Sequence, residues 1–322
     1  MKNDLRIVFM GTPDFAVLSL DILIKHQYNI VGIVTAPDKP AGRGQQLNQS
    51  AIKKYAIEKE IPVLQPEKLK NTEFIAELNK LNANLFIVVA FRMLPEMVWQ
   101  MPQLGTFNLH ASLLPQYRGA APINWAVING EKETGATTFF LQHEIDTGNI
   151  ILQQKINIED NDNAGTIHDK LMHTGAQLVL KTVQLIEENK ATAKAQINEQ
   201  QEDIILKHAP KIFKENCLIN WRNNTNEIHN LIRGLSPYPT AFTYLNNKIL
   251  KIYKTEIVNK YETINLPTIS ITNNTSTIEL KTDNKALLFI KCNDGYLKII
   301  ELQIEGKKRM YIHDFLKGYN FS

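Results

Sequence analysis

The sequence predicts an α/β fold, an open doubly wound and mostly parallel sheet, followed by a small antiparallel β-barrel of the oligonucleotide-binding type. Three observations carry this reading. Over the first 190 of 322 residues, continuous apolar runs of strand length alternate with segments of helical period. Beyond about Lys207 the pattern changes to short alternating runs separated by Asn-Asn and Asp-Gly. The charge divides at the same place: residues 1–205 hold 19 basic and 23 acidic side chains, a net −4, and residues 206–322 hold 17 and 10, a net +7. One hydrophobic core stops growing at ~250–300 residues. Two domains are therefore expected, 1–189 and 207–322, joined by a polar linker over 190–206.

Leu5–Met10 is rich in β-formers and predicts the first strand; Phe15, Leu18 and Ile22 recur at helical spacing behind it. Asn29–Thr35 gives a second strand. Ser50 caps a helix through Glu60, with Ile61–Leu64 following, and Asn71 caps another to about Leu81, with Leu85–Ala90 following. Gly105–His110 and Thr134–Leu141 complete the set. Strands that are apolar throughout, rather than alternating, need cover on both faces, which is the mark of a parallel sheet between helices. Such sheets bind ligands beyond the carboxyl ends of their strands. Three segments with chemical character fall there: Thr12–Phe15, Asn108–Gly119 and Asp146–Gly148.

Ile167, Leu171, Leu178, Val179, Val183 and Ile186 form one face of a long helix that closes the first domain. In the second, a helix over Asn226–Gly234 stops before Ser236-Pro237. Hairpins are then expected at Thr240–Leu245 with Lys248–Tyr253, at Thr268–Thr272 with Thr275–Leu280, and at Leu287–Cys292 with Tyr296–Ile304. Asn-Asn and Asp-Gly supply the positive φ angles that tight hairpins use.

Several function classes drop out. The longest apolar run, Leu85–Phe91, is far short of the ~20 residues of a membrane-spanning helix. Met1–Asp4 leads directly into the first apolar run, so no signal peptide is expected and the protein is read as cytoplasmic. Cys217 and Cys292 suit two reduced, buried thiols better than a disulfide or zinc framework. Gly11-Thr12-Pro13-Asp14-Phe15 stands where a dinucleotide-binding glycine fingerprint would, without its spacing, and no Gly-Lys-Ser/Thr of a phosphate loop occurs. The histidines show no paired ligand spacing, so no metal is expected. No Ser or Cys occupies a nucleophile elbow.

Asn108 and His110 lie two apart on a strand and therefore share a face. Burying an amide and an imidazole between helices is costly unless something uses them. Local backbone groups could satisfy the pair, but its place at a strand end running into Ser112-Leu113-Leu114-Pro115 favours a site. An amide N–H and an imidazole N–H can stabilise a developing oxyanion. Asp146, in Glu144-Ile145-Asp146-Thr147-Gly148, is the leading general base. Together the three make an acyl-transfer set without a nucleophile, in which an incoming amine attacks directly. Thr35–Ser50 has neither period and has the make-up of a clamp over an anionic ligand, with Lys39 and Arg43 supplying positive charge.

Phe9–Ala16, the Thr35–Gly44 loop, Asn108–Pro115 with Arg118-Gly119-Ala120-Ala121-Pro122, and Asp146-Thr147-Gly148 resemble the bacterial methionyl-tRNA formyltransferases, a branch of the folate-dependent formyltransferases. The resemblance covers nearly the whole chain. It implies a formyltransferase-type sheet and transfer of the formyl group of 10-formyltetrahydrofolate to the α-amine of methionine on initiator tRNA, with no metal. It implies that Asn108 and His110 stabilise the oxyanion and that Asp146 helps remove the amine proton and orient His110. Ser112, Leu113, Leu114 and Pro115 would line the folate pocket, with Phe91 and Arg92 nearby. Lys39 and Arg43 would meet the tRNA, Arg43 entering the acceptor stem, while the basic domain holds the stem; a monomer is expected. Two places depart from the family pattern. Gly44-Gln45-Gln46 stands where many relatives carry lysines, and Ala90–Pro95 is one residue shorter than usual.

Overall fold

The computed structural model describes residues 5–41, 46–196, 205–258, 265–272 and 277–321. The chain divides into two compact units. One takes in residues up to 119, 133–157 and 168–208; the other takes in 120–132, 158–167 and 209 onward.

The first unit is built on one seven-stranded sheet. Its strands are β1 (Arg6–Gly11), β2 (Asn29–Val34), β5 (Val63–Leu64), β6 (Leu85–Val89), β7 (Thr106–His110), β9 (Glu133–Phe140) and β10 (Ile150–Asn157), in the order β10-β9-β7-β6-β1-β2-β5. The pairs among β1, β2, β5, β6 and β7 are parallel; β9 joins β7, and β10 joins β9, antiparallel. Every residue of β6 is buried, as its unbroken LFIVV run requires of a strand covered on both faces. The covering helices include α1 (Val17–Lys25), α2 (Ala51–Glu58), α3 (Thr72–Lys80) and α4 (Glu96–Trp99). Two starts follow the expected capping chemistry. The Ser50 hydroxyl accepts the Lys53 N–H at 3.1 Å, and the Asn71 side-chain oxygen accepts those of Glu73 and Phe74.

Between β2 and α2 the segment without period holds a short antiparallel hairpin, β3 (Lys39–Ala41) with β4 (Gln46–Asn48). Its base is tied down. The Thr35 and Ser50 hydroxyls meet at 2.8 Å, and the Asp38 carboxylate accepts from Lys53 Nζ at 2.5 Å and from Gln65 Nε2 at 2.9 Å. Those two bonds hold the Asp38 carboxyl below its ordinary range.

Three more short elements are β8 (Arg118–Gly119), α5 (Pro122–Ile128) and β11 (His208–Ala209); the long helix is α6 (Ala164–Glu187). On α6 the predicted apolar face is the buried one: Ile167, Leu171, Leu178, Val179, Val183 and Ile186 are all inaccessible to solvent or nearly so.

The second unit carries α7 (Thr225–Leu235), β12 (Ala241–Leu245), β13 (Lys248–Ile257), β14 (Thr268–Thr272), β15 (Thr277–Thr282), β16 (Leu288–Lys291), β17 (Tyr296–Ile304), β18 (Met310–Tyr311) and α8 (Ile312–Leu316). The strands form one antiparallel half-barrel sheet, ordered β12-β13-β17-β16-β15-β14 with β18 on β17. Asn246 and Asn247 both take left-handed φ angles, 49° and 61°, in the β12–β13 turn, as the Asn-Asn pair predicts. The Asn293–Gly295 turn keeps all φ negative. Its Asp294 carboxylate instead accepts the Thr225 N–H at 2.7 Å, closing the first turn of α7. The turn between β14 and β15 lies outside the described residues. Ile228 and Ile232 of α7 pack into a core with Leu250, Ile252, Leu297, Ile299 and Leu302. Cys217 and Cys292 are buried free thiols, and burial pushes the Cys292 thiol up to about 12. No helix among the described residues is long and apolar enough to cross a membrane.

Candidate active site

At the carboxyl end of β7, Phe107 and Leu109 are buried toward one side of the sheet, and Asn108 and His110 project to the other. His110 is almost fully buried. Its Nε2 lies 2.9 Å from the Tyr117 carbonyl oxygen, an atom that can only accept, so Nε2 carries a proton and donates it. The other ring nitrogen, Nδ1, faces the Asp146 carboxylate at 3.9 Å. That is ion-pair range but too long for a direct hydrogen bond. The Asn108 carboxamide makes no hydrogen bond to any described residue, which leaves its N–H groups open to a ligand.

Asp146 reaches this position from the turn between β9 and β10. Its φ of +57° is left-handed, a region that non-glycine residues occupy sparingly. Gly119 N–H donates to its Oδ2 at 3.0 Å. Two residues on, an added Cβ at Gly148 would stand 1.7 Å from the Phe140 carbonyl oxygen, so only glycine fits where the turn closes on β9. The sequence places Asn108, His110 and Asp146 in one site, and the structure brings His110 and Asp146 face to face at the end of the strand that carries Asn108.

The loop after β7 is organised by Thr137 of β9. Its buried hydroxyl donates to the Ser112 carbonyl at 2.6 Å and accepts from Leu114 N–H and Gln153 Nε2; Gln153 also donates to the Leu114 carbonyl at 2.8 Å. Ser112 is buried and its hydroxyl donates to the Gln116 carbonyl, so it shapes the turn from within. Leu113 and Pro115 are partly exposed and Leu114 is buried. Phe91 and Arg92 follow β6, whose Val89 pairs with Leu109 of β7. The Arg92 guanidinium lies over the Phe91 ring, 5.6 Å from its centroid, and donates to the Glu67 and Pro66 carbonyls. Burial lowers its pKa.

Lys39 is exposed on β3 and makes no ion pair among the described residues. Arg43 lies outside the described residues. No group of three or more His, Cys, Asp or Glu residues that could hold a metal occurs among those described.

Sequence reading missed Gln196 and Thr137, and quoted Arg118 within a motif without giving it a role. Gln196 is buried against the Asp146 turn, its Oε1 accepting from Arg118 Nε and Nη2. Burial lowers the Arg118 pKa, and the Asp146 and Glu144 charges oppose the shift. A lone Gln in a polar stretch carries no local signal; Thr137, a threonine inside a strand of small residues, carries a weak one.

The donor set suits a carbonyl-bearing ligand attacked by an amine. It offers an open amide N–H, an imidazole, and a carboxylate able to take a proton, beside a partly apolar loop. A family profile described as "Formyl transferase" matches residues 5–183, and one described as "Formyl transferase, C-terminal domain" matches residues 211–320. The chain is 51% identical to the methionyl-tRNA formyltransferase of Bacteroides fragilis over 326 residues, covering 100% of this chain and 97% of that one. It is 54% identical to the methionyl-tRNA formyltransferase of Parabacteroides distasonis over 324 residues, covering 99% and 97%. Among solved structures it is similar to WlaRD, a sugar 3N-formyl transferase crystallised in the presence of dTDP and 5-N-formyl-THF. The TM-score is 0.64, with 94% of this chain and 99% of that chain covered at 23% identity, a likeness of fold.

Proposed function

The chain belongs to the formyl transferase family through both its N-terminal and its C-terminal domain, and we propose that it transfers the formyl group of 10-formyltetrahydrofolate to the α-amine of methionyl-initiator tRNA, giving N-formylmethionyl-tRNA. Two full-length relatives at 51% and 54% identity bear the name methionyl-tRNA formyltransferase, which supports the acceptor. The observation that carries the chemistry is the pairing of His110 Nδ1 with the Asp146 carboxylate on the strand face that also carries the open Asn108 amide.

Bound folate supplies the formyl carbon. As the amine nitrogen adds to that carbon, negative charge gathers on the formyl oxygen, and the Asn108 N–H and the His110 imidazole stabilise it. Asp146 faces the imidazole Nδ1 at 3.9 Å, beside the reacting centre, and accepts the proton that the amine must lose. The carbon–nitrogen bond to the donor then breaks, and the departing nitrogen takes a proton back from the site. No covalent acyl-enzyme is needed, in keeping with the absence of a nucleophile elbow.

Leu113, Leu114, Pro115, Phe91 and Arg92 are assigned to the folate pocket, with Ser112 shaping its loop. Lys39 and Arg43 are assigned to the acceptor stem, and the basic C-terminal half to the tRNA backbone. The protein acts in the cytoplasm as a monomer. The deciding experiment is formyl transfer by purified protein from 10-formyltetrahydrofolate to methionyl-tRNA, against small amines as alternative acceptors. Preference for small amines would overturn the assignment of the acceptor.

A further inference from the structure

Gln196 follows α6 in a stretch whose composition reads as a spacer, yet it is only 7% exposed and both ends of its carboxamide are engaged. Partner chemistry forces its orientation. The Asp146 and Gly148 carbonyls can only accept, so Nε2 faces them, at 2.7 and 2.8 Å. The Arg118 guanidinium can only donate, so Oε1 faces it, at 3.0 Å from Nε and 2.6 Å from Nη2. Two residues earlier, Lys194 pairs with Ile150 through backbone bonds of 2.7 and 2.9 Å, which fixes the approach of the segment.

The residue after Arg118 is Gly119, whose N–H holds Asp146 Oδ2. The contacts therefore close a ring: Gly119 to the Asp146 carboxylate, the Asp146 carbonyl to Gln196, Gln196 to Arg118, and Arg118 back to Gly119 along the chain. Within the turn the Thr147 hydroxyl donates to the Glu144 carbonyl at 3.0 Å, and His143 meets Glu96 at 2.9 Å, but neither contact reaches the Asp146 carboxylate. Residues 142–145 are exposed, Ile145 by 62%, so apolar packing contributes little there. Asp146 sits at φ +57°, a left-handed conformation that Asp tolerates better than most residues and that the surrounding hydrogen bonds help to hold.

We propose that Gln196 is a positioning residue for formyl transfer. It clamps the Asp146 and Gly148 carbonyls to Arg118 and so sets where the Asp146 carboxylate stands against His110. This rests on the role given to Asp146 above. A displacement of about 1 Å at a reacting group costs on the order of 10²-fold in rate, so loosening the clamp should be visible in turnover.

Gln196→Glu is the sharper test, because it keeps the length of the side chain and an acceptor for Arg118 but turns the donor facing two carbonyls into an oxygen. Gln196→Ala removes both arms. With full-length protein, 10-formyltetrahydrofolate and methionyl-tRNA, both variants should lose about 10- to 100-fold in kcat, with KM for each substrate within about twofold. Gln196→Glu should melt within a few degrees of the parent. In single turnovers on an Asp146→Asn background, the same change should cost less than about twofold, because the group it positions is already gone.

A folded Gln196→Glu variant with unchanged kcat, a loss confined to KM, or a loss that multiplies in full on the Asp146→Asn background would overturn the positioning role. Amide exchange supplies a readout free of activity. Gln196→Glu should accelerate exchange of Gly119 N–H, the group bonded to Asp146, and unchanged exchange would refute the clamp even if Gln196→Ala did not fold. Absence of transfer by the wild-type protein, with faster Gly119 exchange in the variant, would instead refute the proposed reaction and leave the clamp standing.

Discussion

Nδ1 of His110 stands 3.9 Å from the nearer carboxylate oxygen of Asp146, while Nε2 of the same ring is bonded to the Tyr117 carbonyl at 2.9 Å. The Tyr117 bond fixes the ring and commits one nitrogen, so Nδ1 is the nitrogen that the proposed mechanism uses. The separation is too long for direct proton transfer between the two, but one atom beside them can be within hydrogen-bond reach of both. Asp146→Asn retains an oxygen for Gly119 N–H but no longer accepts a proton. We expect kcat for formyl transfer to fall by at least ~10²-fold, the lower end for a lost general base. Folate binding, followed by calorimetry, should persist; near-normal transfer would remove Asp146 from the mechanism.

Asn108 tests the oxyanion. Its carboxamide serves no other described residue, so Asn108→Ala should leave the melting temperature nearly unchanged. Loss of one oxyanion donor costs ~10²–10³ in kcat. Steady-state kinetics should show this fall with KM close to that of the parent. A loss confined to KM would make Asn108 a ground-state binding group.

Gly148→Ala addresses the turn without touching a reacting side chain. The new Cβ would lie 1.7 Å from the Phe140 carbonyl oxygen and 2.9 Å from its carbon, atoms of β9 that cannot swing aside. Overpacking of this kind costs about 1–3 kcal/mol. The variant should melt lower than the parent and lose turnover as Asp146 moves with the turn. Full activity in a folded Gly148→Ala protein would show that the turn tolerates displacement.

Much of this was legible in the sequence where side-chain chemistry is local. Ser50 and Asn71 cap the helices they precede, Leu85–Val89 is buried on both faces, and Asn108 with His110 share one strand face. What was not legible depends on partners far along the chain. β10 was missed because Gln153, Gln154 and Lys155 break any apolar run; as an edge strand it is exposed along half of its length. α5 was missed because its seven residues are too few to establish a period. Gln196 sits 50 positions from Asp146, and nothing near it in the chain marks it as buried. The hairpin over Lys39–Asn48 escaped because strands of three residues hold too few alternations to read.

His229 gives the second unit a pH dependence of known sign. Burial and the nearby Arg233 charge push its pKa from 6.5 down to about 4, and Asp160 opposes the shift. Its Nδ1 meets the Thr255 hydroxyl at 2.9 Å. Between pH 6.5 and 4 the unfolded chain binds this proton more readily than the folded one, so stability is intact above pH 6.5 and falls as the pH drops. The loss reaches about 3 kcal/mol at most by pH 4. Melting curves across that range should fall more steeply for the wild type than for His229→Gln. Parallel curves would show that His229 does not titrate in this window.

The basic character of residues 206–322 is not uniformly available to a polyanion. Lys291 is paired with Glu279 at 2.5 Å, Lys298 with Glu256 at 3.2 Å, and Arg309 with Glu301 at 2.6 Å. Lys211 and Lys214 instead lie over aromatic rings, those of Phe213 and Phe242, at 5.5 and 6.0 Å, and Phe213 is exposed. A lysine over an aromatic face keeps its charge for a phosphate, and the exposed ring beside it offers a stacking surface. Each phosphate contact releases counterions and adds about 0.7–0.9 to the slope of log K against log salt. Lys211→Gln with Lys214→Gln should therefore flatten the salt dependence of tRNA binding by about 1.5. Lys291→Gln with Lys298→Gln makes the same change in net charge, so long-range attraction falls equally, but it should leave the slope nearly unchanged. Fluorescence anisotropy titrations with methionyl-tRNA over a salt series separate the two, and equal slopes for both double variants would show that the contacts lie elsewhere on the basic unit.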